Sequence, residues 1–441
     1  MATKENSFKQ PTKQETLAIK QEERIRRLHH LGNRLSEFAP QWWVGVGESL
    51  GLATIFLINF WLLFPFFGHE DKYNAFSAPV IPALVTLIEK WVPFACGVRI
   101  WLLFFLIFFP LSFYYFVKEI SERKLTALLA SFLVILPIGV FLRSRVELGL
   151  LGEDGAHIAS LTMMPLVCLL LLRFLRKGYF WSGILAAIGT VFVALTSPLG
   201  LMVLGVFMGV ITFSEMLLGE GRLKFLRLLV VLFLVAGFSA FWYHPHFVLL
   251  TLQSSQGLLI KKTLFSLLPI SFFVLPVLGV FGFLLFENQP QLQSMFIAFF
   301  LTIGFGLFSL GAGISQPLPS RFLPAFGISL AFLLGVVTVG LADFLRTSTK
   351  LKRVGLLPVK RRFFSSLLIG FVFVTIILLI LFSFRSFLQL EQSQVLGLTS
   401  EKKIGLWEIR EQTDPFENIL GGVITGITAV SVFILKLRLG N

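Results

Sequence analysis

This 441-residue chain is short of acid, short of cysteine and without nucleotide-binding motifs. It carries 24 Asp+Glu against 38 Lys+Arg, and charged residues make up only 14% of it. Its two cysteines are Cys96 and Cys168, so neither a disulfide framework nor a cysteine-built metal site is expected. There is no Walker A, no GxGxxG after a strand, no GxSxG and no HExxH. ATP-driven transport and soluble nucleotide chemistry therefore find no support. The first 40 residues are polar, so no cleavable signal peptide is expected. No period of repeat length recurs, which argues against a repeat array.

Apolar sequence is abundant. Hydrophobic residues make up 56% of the chain and aromatics 15%, with 51 Phe. Mean hydropathy is +0.84. Soluble domains lie nearer ~45–50% apolar, and a bilayer core of ~30 Å takes about 20 apolar residues per helix. The expected fold class is all-α: a polytopic membrane helix bundle of about twelve transmembrane helices. They fall near 47–67, 98–117, 125–143, 157–174, 179–196, 200–218, 226–245, 264–286, 293–312, 322–345, 363–384 and 419–436. The close pair around Thr196-Ser197-Pro198 is also compatible with one broken helix.

Charge placement orients this map. With both termini inside, the whole net charge of +14 falls on the inner side and the outer side balances to zero. The segment 346–362 carries seven basic residues and no acid, and fixes the orientation most firmly. The basic pI is then a matter of topology, and no nucleic-acid partner is expected. Residues 1–43 read as a cytoplasmic tail. Within it Leu28, Leu31, Leu35 and Phe38 form one apolar stripe among arginines, either an amphipathic helix on anionic lipid or a solvated helix. Residues 44–345 form the membrane core. Residues 346–441 comprise the basic loop and a C-terminal helix pair around an outer loop, 385–418. The chain is expected in the plasma or inner membrane, in contact with its lipids.

The outer side collects unusual carboxylates. Gly68-His69-Glu70-Asp71 follows the first helix directly. Two carboxylates and an imidazole there suit a general base or a divalent cation, and equally a solvated helix end. The loop before the fourth helix reads Arg143-Ser144-Arg145-Val146-Glu147, then Gly152-Glu153-Asp154-Gly155-Ala156-His157. Glu153, Asp154 and His157 offer hard oxygens and an imidazole to Mg²⁺, Mn²⁺ or Ca²⁺. Arg143 and Arg145 suit bidentate phosphate binding, or snorkelling to the interface. Arg321 is the only charge in its own loop and is a third phosphate candidate. His244 and His246 give at most two ligands of a zinc site.

These landmarks resemble the GT-C superfamily of polytopic glycosyltransferases. Within it the chain looks most like membrane proteins labelled as related to pyruvoyl-tetrahydropterin synthase, and more distantly like YfhO-type proteins. In the superfamily an acid stands just after helix one, as Glu70 and Asp71 do here, and further acids stand between helices three and four, as Glu153 and Asp154 do. Leu195-Thr196-Ser197-Pro198-Leu199, Ala240-Phe241-Trp242 and Pro319-Ser320-Arg321-Phe322-Leu323 also look like family landmarks. The first loop departs from the pattern in having His-Glu-Asp instead of Asp-x-Asp, and no large outer C-terminal domain follows.

The resemblance implies sugar transfer from a polyprenyl-phosphate-linked donor to a glycan, lipid or protein acceptor. Asp71 or Glu70 would act as base. Arg143, Arg145 and Arg321, or a Mg²⁺ or Mn²⁺ ion at Glu153, Asp154 and His157, would meet the lipid phosphate. The alternatives are a catalytically inactive relative and a non-enzymatic lipid or solute transporter. The charge map makes its own prediction. In intact cells an impermeant thiol reagent should label Tyr73→Cys and Gly397→Cys but spare Gly355→Cys, and labelling at 355 would overturn the orientation.

Overall fold

A computed structural model describes residues 41–68, 78–151, 154–253, 258, 261, 292–310, 318–347, 358–388 and 415–439. His69, Glu70, Asp71, Glu153, the expected helix at 264–286 and most of the loops 346–362 and 385–418 lie outside the described residues. Every regular element among those described is helical. The chain divides into two compact units, Met1–Thr54 and Ile55–Asn441. In the first, Thr54 Oγ1 donates to Leu50 O at 2.8 Å along the opening of α1 (Gln41–Leu63).

Among the described residues, six helices are long and apolar enough to cross a membrane: Val46–Phe67, Cys96–Ser121, Gly155–Lys177, Pro198–Leu217, Ser320–Phe344 and Pro415–Arg438. This is a helical membrane protein. Helix α1 runs into a 3-10 turn, Phe64–Gly68. A short α2 (Val80–Thr86) precedes the long α3 (Phe94–Ser121).

Pro110 sits inside α3. A proline has no N–H, so the carbonyl of Leu106, four residues earlier, loses its helix donor. Asn59 of α1 replaces it: Nδ2 donates to Leu106 O at 2.9 Å and to Ile107 O at 3.2 Å. In lipid no water is present to do this, so a neighbouring side chain must.

The apolar run expected to form one helix over 125–143 is broken. Helix α4 covers only Lys124–Val134. At ~1.5 Å per residue it reaches about half of the ~30 Å core. The cause is local. Pro137 disfavours helix at the residue before it, and Gly139 adopts φ 46°. A one-turn α5 (Leu142–Val146) and a π turn (Glu147–Leu151) follow. The flanks of this irregular stretch are buried, with Ile135, Leu136 and Leu142 all at most 2% exposed, while Ile138, Val140 and Phe141 are part-buried and Gly139 is exposed. Irregular backbone at membrane depth survives only where protein surrounds it.

Helix α6 (Gly155–Lys177) is the most enclosed span, packed on α3, α7 (Phe180–Thr196) and α8 (Pro198–Leu217). Ser197 alone separates α7 from α8. Its backbone is extended, its Oγ accepts from Gly200 N at 3.3 Å, and Pro198 takes the first helical position. The pair is therefore two helices with a one-residue break between them. Helices α9 (Gly221–Ser239) and α10 (Pro245–Gln253) follow. Then come α11 (Gln293–Ser309) and α12 (Leu318–Thr347), which pack together, and α12 also lies along α4. Helix α13 (Pro358–Leu388) packs on α12, and α14 (Pro415–Leu439) on α9.

Small residues let α12 approach the broken segment. A Cβ on Gly327 would lie 1.8 Å from Val140 O, and one on Gly335 would lie 3.1 Å from Thr126 O. Close helix contact through small residues is the usual way apolar helices associate where burial from water gives no driving force. Gly340, on the same helix, has open space around it. Gly327→Ala should therefore cost about 1–3 kcal/mol, because the atom it meets is backbone. Gly340→Ala should gain ~0.5–1 kcal/mol from helix propensity. Melting midpoints of the two purified variants should move in opposite directions.

Candidate functional site

Two ends of the bundle carry polar side chains. One is built around Asp154, the other around Glu215.

At the Asp154 end, α6 begins where Gly155 frees the backbone. Asp154 is its N-cap, yet its side chain caps none of the helix N–H groups. Asp154 N instead donates back to Leu148 O of the π turn at 3.0 Å. The carboxylate turns across to α12, with Oδ2 2.9 Å from Nε of Arg321. The N–H is not aimed along that line, so Oδ2 accepts no aligned hydrogen bond among the described residues and the contact is mainly coulombic. The positive end of the α6 dipole also favours an anion at this position.

His157 is one turn further along α6, on the same face. It is 1% exposed, and its Nε2 lies 3.0 Å from the main-chain oxygen of Arg321, a residue 164 positions away. A carbonyl can only accept, so Nε2 carries the proton and Nδ1 is left as an acceptor. No described residue donates to that Nδ1. Arg321 is thus held at its side chain by Asp154 and at its main chain by His157. Pro324 stands three residues later in α12 and removes the helix donor for the neighbouring carbonyl of Ser320.

The two terminal Nη groups of Arg321 have no partner among the described residues, and its side chain is 32% exposed. Asp154 therefore occupies one edge of the guanidinium and the fork stays open.

The other expected phosphate ligands sit differently. Arg143 Nε donates to Glu147 Oε1 at 2.7 Å within one turn, and both side chains are more than a third exposed. Such pairs contribute little. Arg145, expected at the interface, is turned into the bundle and is 1% exposed. Its Nη2 donates to Val134 O, the last carbonyl of α4, and its guanidinium lies 4.5 Å from the ring centre of Phe109. A cation at a helix C-terminus offsets the negative end of the dipole. The break at Pro137 is what brings Arg145 to the end of α4 and away from the surface.

Asp71, Glu70 and Glu153 lie outside the described residues. The metal set expected at Glu153, Asp154 and His157 has two described members, and both engage Arg321. Among the described residues no group of three or more His, Cys, Asp or Glu is placed to hold a metal ion.

Sequence reasoning passed over Arg99. This arginine of the second turn of α3 is 4% exposed. Its Nη1 donates to Phe66 O at 3.4 Å and its Nη2 to Leu150 O at 3.0 Å. An arginine opening a long apolar helix was the available signal.

At the other end, Glu215 is 1% exposed and meets Arg176 Nε at 2.9 Å and Lys224 Nζ at 3.1 Å. Gln293 Nε2 donates to Glu215 Oε1 at 2.7 Å, and Arg176 Nη2 donates to Gln293 Oε1 at 3.0 Å. Arg173 Nη2 pairs with Glu119 at 3.0 Å. Each charge here has its counter-charge, and the network ties together the ends of α3, α6, α8, α9 and α11. It reads as a clamp. A third group lies at the start of α10: Glu417 of α14 is 3.5 Å from Nδ1 of His246 and 3.7 Å from Nδ1 of His244, which accepts from Phe247 N at 3.3 Å.

No protein-family model, no curated protein and no solved structure matches this chain.

The Asp154–Arg321 contact generates a direct test. Asp154→Asn and Arg321→Gln should each destabilise the protein, by less than the ~3–5 kcal/mol of a fully buried broken pair, since Arg321 is partly exposed. A double-mutant cycle read by thermal unfolding should return a coupling of roughly 1 kcal/mol or more, and a coupling near zero would show the pair to be incidental.

Proposed function

We propose that this chain is a multi-pass membrane glycosyltransferase that takes its sugar from a polyprenyl-phosphate-linked donor at the outer face, the end that carries Asp154 and Arg321. The observation that carries the reading is Arg321. One edge of its guanidinium is balanced by Asp154, its fork is open, and it stands at a helix end where the phosphate of a lipid anchored in the bilayer would lie. A guanidinium fork matches phosphate oxygens bidentately. The resemblance to GT-C proteins in acid placement supports the same assignment.

In this reading the acceptor hydroxyl attacks the anomeric carbon, its proton passes to Asp71 or Glu70, and the bond from the anomeric carbon to the phosphate oxygen breaks. The electron pair leaves with the lipid phosphate, where Arg321 meets the charge. His157 holds the Arg321 main chain and so fixes where the fork points. A divalent cation, Mg²⁺ or Mn²⁺, would draw on Glu153 and Asp154. It would then compete with Arg321 for the same carboxylate. Arg143 is close in sequence and half-exposed, and would add positive charge at the rim.

A transport reading has one observation in its favour. Helix α4 stops after 11 residues inside the bundle, and discontinuous helices line substrate sites in many transporters. Against it, the freed Val134 carbonyl is already capped by Arg145, and Ile135, Leu136 and Leu142 on either side of the break are buried.

The two readings separate in one set of assays on protein in lipid nanodiscs and liposomes. A panel of polyprenyl-phosphate sugars should give transfer. Asp71→Asn should lower its rate by ~10²–10⁴-fold, the range for a general base, with the protein still folded. Arg321→Ala should chiefly weaken donor binding. Full activity of Asp71→Asn would remove the catalytic assignment, and substrate flux across liposomes without transfer would establish transport instead.

A further inference from the structure

Arg99 is a buried cation whose terminal nitrogens reach main-chain carbonyls. One belongs to Phe66, in the 3-10 turn that ends α1, and the other to Leu150, in the π turn before α6. Both turns break the ordinary helix ladder. Their carbonyls therefore need donors from elsewhere. Two contacts carry the position of the π turn onward to the site. Leu148 O, in the same turn as Leu150, accepts from Asp154 N at 3.0 Å, and the Asp154 carboxylate faces Arg321 at 2.9 Å.

Packing gives independent support. A Cβ on Gly155 would fall 2.3 Å from Leu102 Cδ1 and 3.1 Å from Gly149 O. Leu102 stands three residues after Arg99, on the same face of α3. The opening turns of α3 thus hold the start of α6 twice, once by the guanidinium on Leu150 and once by the side chain of Leu102 against Gly155. Asp154 Oδ2 takes no aligned hydrogen bond from any described residue that would fix it locally. Its placement relative to Arg321 comes from the backbone beneath it.

We propose that Arg99 is the positioning residue of the Asp154–Arg321 site, holding the turn at 147–151 against α3 so that Asp154 balances one edge of Arg321 and leaves its fork open to a phosphate. A point charge with three rotatable donors cannot hold two carbonyls in a fixed fork as a guanidinium does. Lysine at 99 therefore retains part of the effect and methionine none. The phosphate clause rests on the function proposed above, whereas the positioning clause does not.

The test uses the full chain in detergent, with dodecyl phosphate as the probe. The Asp154→Asn and Arg321→Gln cycle is measured by thermal unfolding in wild type, in Arg99→Lys and in Arg99→Met. The proposal expects the pair's shift in melting midpoint to shrink in Arg99→Lys and to vanish in Arg99→Met. An undiminished shift in either variant overturns it, and Arg99→Lys keeps the test decisive if the methionine variant does not fold. Dodecyl phosphate should bind Arg99→Lys about tenfold more weakly than wild type, an affinity change that loss of stability alone does not produce in the folded fraction. Equal affinity in both overturns the link from Arg99 to the fork. No binding to wild type would sink the phosphate reading, while the unfolding cycle would still decide the positioning.

Discussion

Carbonyl groups left bare by broken helices, in surroundings with no water to satisfy them, are the constraint on which this structure turns. A straight apolar helix satisfies its own backbone and needs little from its neighbours. This chain interrupts the hydrogen-bond ladder of α3 at Pro110 and breaks its helices at Pro137 and around Ser197, and each lost donor is answered from another element. Asn59 serves Leu106 across from α1. Arg145 serves Val134, and Arg99 serves both Phe66 and Leu150. Tyr243 Oη donates to Ala194 O at 2.6 Å near the end of α7. The long polar side chains of the membrane region are placed largely where the backbone has run out of partners, because an unsatisfied polar group in hydrocarbon costs several kcal/mol.

The same rule distinguishes the two polar ends. Around Glu215, three cations and three carboxylates close on one another, with Gln293 bridging Glu215 and Arg176. A network of this kind ties helix ends together and pairs each of these charges within the fold. The Asp154 end is held by contacts to main chain and by the Asp154–Arg321 and Arg143–Glu147 ion pairs, and it retains an open guanidinium fork and an imidazole acceptor without a described donor. Chemistry needs groups whose capacity is not exhausted by the fold. On that ground the proposed function is placed at the Asp154 end. The shape of the site depends on Arg99 and His157, which hold backbone, as much as on the groups that would face substrate.

The outer surface of the bundle follows the lipid-facing rule. Helix α14 buries only 6% of its spanning window within the protein, and Phe416, Ile419, Val423, Ile427 and Phe433 stand exposed along it. It is held to α9 by small residues and hydroxyls: Thr425 Oγ1 donates to Gly237 O at 3.1 Å and accepts from Phe241 N at 3.0 Å. A helix so lightly held is stable only where apolar surface costs nothing, as in a bilayer.

The sequence by itself determined the class of the fold. Apolar runs of helical length, broken by charge, declare membrane helices, because one physical quantity, transfer into hydrocarbon, dominates every residue in them. Composition also singled out Asp154, His157 and Arg321 as unusual groups at helix ends. It did not reveal that Arg321 and His157 would touch, since nothing local relates residues 164 positions apart. Nor did it separate Arg145 from Arg143. The two are neighbours of the same type, and only the break at Pro137 sends one into the core to cap α4 and leaves the other at the rim. Arg99 was visible only as a charge near a helix start. Its role follows from two carbonyls that other parts of the chain bring to it. Hydropathy is a property of each segment alone and so can be read along the chain, whereas the partner of an orphaned carbonyl is a property of packing and exists only once the helices have met.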